Sequence, residues 1–86
     1  MRIINELFEL GKSIRKQLIK KKAKHHITNF GALLTGGASD EISLDRLMNI
    51  INGYELKVDL SPLAKSIEDN ELHTGLQILL GGMLSE

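Results

Sequence analysis

The stretch from Arg2 to Ile19 constrains the fold more than any other part of the chain. Set about 100° apart, as an α-helix places them, Leu10, Ile3, Ile14, Leu7, Leu18, Gly11, Ile4, Phe8 and Ile19 fall on one continuous arc. The arc covers about half the circumference, the breadth of a helix packed on a core. Only Arg15 intrudes, and its long stem can lie along apolar surface with the guanidinium in water. Gly11 sits in the middle of the arc. It costs roughly 1 kcal/mol against Ala in a helix interior, and it is either tolerated or a point of close approach by another backbone.

The stripe stops at Ile19, where Lys20-Lys21-Lys22-Ala23-Lys24-His25-His26 begins. Lys21 and Lys22 fall at angles belonging to the apolar arc, so a buried helix cannot continue unchanged. Cations at a helix C-terminus complement the macrodipole, and that alone accounts for such a run. A protruding run could also bind an anionic surface through Lys16, Lys20, Lys21, Lys22 and Lys24.

Charge is divided along the chain, although the formal net charge of the 86 residues is zero. Residues 1–26 hold eight Lys/Arg against two Glu, a balance of +6; residues 27–86 hold three against nine acids, a balance of −6. Such asymmetry points to anion binding or to association between unlike ends. The chain has the length of one helical domain, residues 1–86, with a thin core. A hydrophobic share of 42% favours a folded globule. Phe8, Phe30 and Tyr54 are the only aromatics, so the core is built from Leu and Ile, and self-association often completes a core of that kind. There is no Cys for disulfide or thiolate chemistry. No segment approaches the roughly 18 apolar residues that span a bilayer, and Glu6 and Glu9 interrupt any signal-like apolar stretch. The chain is expected to be soluble and cytoplasmic.

Further along, Thr28–Gly37 suggests one or two helical turns, capped by Thr28 or Asn29 and closed by a left-handed Gly36. The Gly36-Gly37 pair has no following Lys and is succeeded by two acids, so it is a turn rather than a phosphate loop. Ser43 is expected to cap a second clear helix with Leu44, Leu47, Met48 and Ile51 on one side, ending at Gly53. Residues 54–60, Tyr54-Glu55-Leu56-Lys57-Val58-Asp59-Leu60, alternate with period two. No second strand pattern exists to pair with them, so an extended connector across the core is favoured over a strand paired to its copy in a dimer. Ser61-Pro62 starts another helix. A break near Asp69-Asn70, with Asn70 as cap, separates it from a last helix carrying Leu72, Leu76, Leu79, Leu80 and Met83 along one side. Gly81-Gly82 is expected to loosen that helix's end. The fold predicted is all-α, a small bundle of about four helices with one connector.

Chemistry is sparse. Residues 61–80 have the outline of a helix-turn-helix, but the second helix, Glu71–Gln77, offers no Arg or Lys to bases or phosphates. His25 and His26 point about 100° apart on a helix and do not share one ion easily. His73 stands without a nucleophile motif. The paired acids Asp40-Glu41 and Glu68-Asp69 lie at helix boundaries, where turns explain them. No catalytic residue, metal site or cofactor is expected. The reading is a non-enzymatic regulator, adaptor or assembly factor that binds another protein as a homodimer, with Leu72, Leu76, Leu79, Leu80 and Met83 as its partner or self-association surface. Nucleic-acid binding by the lysine run is the alternative, weakened by the lack of neighbouring aromatics. Membrane-surface binding by residues 1–24 is a third.

Overall fold

The long arc becomes α1, Arg2–Lys20. In the computed structural model, which describes residues 2–86 with side chains from Ile3 onward, it is followed by α2 (His25–Thr35), α3 (Asp40–Gly53), α4 (Ser61–Glu68) and α5 (Leu72–Leu84). The chain is all-helical, with no strand among the described residues. The described residues form five helices where about four were expected. The addition is α2, which is a full helix rather than one or two turns. It starts with the His pair and buries Ile27, Phe30 and Leu34, spaced i, i+3 and i+7.

The lysine run is therefore a corner between two helices and not a protruding helix end. Leu18 accepts a hydrogen bond from the Ala23 N–H and Ile19 from the Lys22 N–H, at 2.9 and 3.0 Å. Lys22 takes the left-handed position with φ of 57°, which completes a Schellman closure of α1. Both Leu18 and Ala23 are buried, the apolar pair that accompanies this motif. The same pair of bonds closes α3 through Glu55 and α4 through Asn70.

These closures revise several boundaries. Asn70 ends α4 with φ of 58° and does not cap α5, whose preceding residue is Glu71. Gly37, with φ of 92°, takes the left-handed position expected of Gly36. Ser39, rather than Ser43, caps α3, its hydroxyl accepting from the Ile42 N–H at 3.2 Å. Asp40 and Glu41 complement the dipole in that first turn. Ser61 lies just inside α4, and the Asp59 carboxylate accepts from its N–H at 3.0 Å.

The core is continuous across all five helices. Leu7, Leu10, Ile14 and Leu18 of α1 meet Phe30, Leu47, Ile50 and Leu63 from the middle helices and Leu76, Leu79 and Met83 from α5. Burial runs from the Leu10 edge of the predicted arc through Leu18 and Gly11; Ile4 and Ile19, toward the opposite edge, are 41% and 44% exposed. The α1–α5 crossing has the closest approach. A Cβ on Gly82 would overlap the Phe8 carbonyl and lie 3.1 Å from the Gly11 Cα. Gly82 thus does not loosen α5, which runs on to Leu84. Leu7 lies by Gly75, Phe8 by Gly82, and the Arg15 guanidinium donates to the Met83 carbonyl at 3.1 Å. These pairings advance together along both helices, so α1 and α5 lie parallel.

Residues 56–60 link α3 to α4 outside any helix or strand, with Leu56 buried in the core. Of the predicted extended stretch 54–60, Tyr54 and Glu55 belong instead to the closure of α3, and Leu60 has φ of −86° and ψ of 4°. The Gln17 side chain of α1 stands in for a neighbouring strand. Its amide nitrogen donates to the Lys57 carbonyl at 2.9 Å, and its amide oxygen accepts from the Lys57 N–H at 2.8 Å. One side chain thereby satisfies both backbone groups of that residue.

Candidate cationic interface

The corner between α1 and α2 gathers every lysine singled out in the sequence. Lys16 and Lys20 lie one turn apart near the end of α1; Lys21, Lys22 and Lys24 occupy the turn itself, and all five are exposed. Ala23 is the inward residue of this turn, at 2% exposure, and its burial turns the flanking lysines outward. Among the described residues the ion pairs are Lys12–Glu9, Lys65–Glu68, Lys65–Asp69 and, when the imidazole is charged, His73–Asp40. None involves the five lysines. Their charge is compensated by solvent and by the C-terminal dipole of α1.

Two kinds of surface flank the corner. Toward α5, an open groove is lined by Lys12, Arg15, Lys16 and Ile19 together with the acids Glu9 and Glu86. Ile19 is apolar and half out of the core there, and Leu84 in the last turn of α5 is 57% exposed. Toward α3, a shallow cleft is lined by His26, Asn29, Arg46, Asn49 and Tyr54. The His26 Nε2 and the Tyr54 hydroxyl are 2.8 Å apart and share a hydrogen bond. Burial, together with the neighbouring His25 and Arg46 charges, holds the His26 imidazole below its ordinary pKa. The His25 ring is 4.1 Å from that of His26, tilted by 38°.

The other predicted surface is corrected. Leu76, Leu79 and Met83 are fully buried, Leu80 is 7% exposed, and Leu72 is half-buried. The cause is the glycine crossing, which seats the apolar side of α5 directly on α1, while Leu80 packs against Gly31 of α2. These side chains hold the monomer together and are not a free face.

Exposed apolar surface also lies at the far end of the molecule. Ile42 of α3 and Ile67 of α4 are 55% and 46% exposed. Around them stand Asp40, Glu41, Asp45, Glu68, Asp69 and Glu71. The Asp40 carboxylate and the His73 Nδ1 are 2.8 Å apart, a hydrogen bond joining the starts of α3 and α5. Sequence reasoning missed this pair and the His26–Tyr54 pair, because each joins residues about thirty positions apart. Among the described residues no cluster of three His, Asp or Glu side chains could hold a metal ion. None of their helices is long and apolar enough to cross a membrane. No known family matches this chain, and searches of characterised proteins and of solved structures likewise return no match.

Proposed function

We propose that this protein is a non-enzymatic regulator, adaptor or assembly factor that self-associates and binds an acidic protein surface through the α1–α2 corner. The observation that supports this reading is the combination of five exposed lysines outside any described ion pair with the exposed Ile19 and Leu84 beside them. Cations select and steer an acidic partner, and adjoining apolar side chains supply the desolvated centre that a protein interface needs.

The same lysines support nucleic-acid binding as the second reading, since the stretch 10–39 contains no acid at all. Stacking on bases lacks a platform there, because Tyr54 is half-buried and bonded to His26. Membrane-surface binding through the α1 arc fits less well. Leu7, Leu10, Ile14 and Leu18 are already core, so the domain would have to open.

A pull-down from the native host separates these readings, with wild-type bait and a triple variant (Lys20→Glu, Lys21→Glu, Lys22→Glu), each with and without nuclease. The expected result is a protein captured by the wild type, resistant to nuclease and lost with the variant. Capture of nucleic acid alone, with a steep fall as salt rises, would replace the first reading with the second.

A further inference from the structure

We infer that the acidic surface matched to the lysine corner is the opposite pole of a second copy of this chain, so that copies associate head to tail. This rests on the self-association in the proposed function and names its geometry. The two poles are built from separate elements. The cationic pole holds Lys16, Lys20, Lys21, Lys22 and Lys24; Glu55 and Glu86 are the acids of nearby segments, and Arg46, next to Asp45 on α3, belongs to neither pole. The acidic pole holds Asp40, Glu41 and Asp45 at the start of α3 and Glu68, Asp69 and Glu71 at the α4–α5 turn, with Lys65 as a cation among them.

Packing puts the poles at opposite ends. α5 lies parallel to α1, and Leu7 of the first turns of α1 meets Gly75 of the first turn of α5. The α4–α5 turn and the start of α3, bonded to α5 through Asp40 and His73, therefore lie toward the beginning of α1. The lysine corner lies at its end. A helix of 19 residues is about 28 Å long at 1.5 Å per residue, in a molecule whose longest extent is 34 Å. From the level of Leu7 to Lys20 the axis runs about 20 Å, more than two Debye lengths at physiological ionic strength. Within one chain the poles do not neutralise each other, and none of the five lysines forms an ion pair with the described acids. Between chains they can meet.

Each pole also carries exposed apolar side chains, Ile19 and Leu84 at one end and Ile42 and Ile67 at the other. A zero formal net charge removes the overall repulsion between copies. Because the two surfaces differ, the contact is heterologous. It extends into a chain of copies, or closes into a ring if the rotation per step allows.

Sedimentation at rising protein concentration, at low and at about 0.5 M salt, tests the proposal with three proteins. The first is wild type. The second carries Lys20→Glu, Lys21→Glu and Lys22→Glu; the third carries Glu41→Lys, Asp45→Lys and Glu71→Lys, all at exposed positions. Circular dichroism verifies that both variants keep the helical fold. Wild type is expected to grow in mass at low salt and to lose that growth at high salt. Each variant alone stays monomeric, and an equimolar mixture of the two associates again. A wild type that is monomeric at low salt, variants that still self-associate, or a mixture that stays monomeric would each overturn head-to-tail pairing. In any of those cases, nuclease-resistant capture of another protein from the host would leave the partner-binding reading standing.

Discussion

Gly82 of α5 is buried against α1 so closely that a Cβ built on it lies 3.1 Å from the Gly11 Cα and overlaps the Phe8 carbonyl oxygen. Neighbouring Gly81 is different: a Cβ there would sit 3.6 Å from the Phe8 ring, an ordinary van der Waals distance. Gly82→Ala must separate two helices that share most of the core, which costs about 3 kcal/mol or more. Gly81→Ala gains helix propensity and is expected to be neutral or to stabilise by up to about 1 kcal/mol. Urea unfolding of the two variants measures the contrast, and similar midpoints would show that the close crossing does not limit stability.

Ser43 presents the reverse problem, a buried polar group with nothing to bond. Among the described residues its hydroxyl has no hydrogen-bond partner, and the residue is 0% exposed in the interior of α3. An orphaned hydroxyl loses its hydration and gains nothing in return. Ser43→Ala is expected to stabilise the protein by about 1 kcal/mol, a rise in Tm of roughly 4–8 °C for a domain of this size. A lower Tm would mean that the hydroxyl has a partner in solution, such as a bound water.

The helical class was legible because it rests on local periodicity. Leu7, Leu10, Ile14 and Leu18 carry their spacing in plain view, and the break expected near Asp69-Asn70 falls where α4 ends. A link outside any helix or strand was legible for residues 56–60, from an alternation without a pairing strand, whereas Tyr54 and Glu55 were absorbed by the closure of α3. Helix α2 was underestimated because polar His25, His26, Thr28 and Asn29 surround the widely spaced Ile27, Phe30 and Leu34. The partner of Gly11 could not be read, since nothing local distinguishes Gly82 from Gly81. That same contact decides whether Leu76, Leu79 and Met83 face a partner or α1. The lysine run was visible as composition, but its placement at one pole opposite the acids depends on the parallel packing of α5.

Lys22 holds the left-handed position at the end of α1, with φ of 57° and a full side chain. Glu55 does the same after α3, at 51°. A non-glycine residue in this region is strained by about 1 kcal/mol or more, whereas Asn, as at position 70, tolerates it. Lys22→Gly and Glu55→Gly are each expected to stabilise by about 0.5–1 kcal/mol after the larger chain entropy of unfolded Gly is counted. Asn70→Gly should change stability less. Denaturation at high salt, where loss of the Lys22 charge matters little, provides the comparison.

His26 gives stability a pH dependence of definite sign. Its imidazole, desolvated and beside His25 and Arg46, has a folded pKa below the unfolded value of about 6.5. As pH falls through 6.5 the unfolded chain takes up a proton that the folded chain resists, so stability declines toward the folded pKa and levels off below it. Asp59 contributes in a separate and more acidic window. The hydroxyl and N–H of Ser61 hydrogen-bond its carboxylate and lower its pKa, so its contribution is present above the unfolded value and lost as pH falls through the folded one. Between pH about 7.5 and 5.5 the histidine effect can therefore be read without that carboxylate. Urea midpoints across that interval should fall for wild type and fall less steeply for His26→Gln, which keeps a polar group near Tyr54 but cannot be protonated. Equal slopes would show that His26 does not distinguish the folded from the unfolded chain.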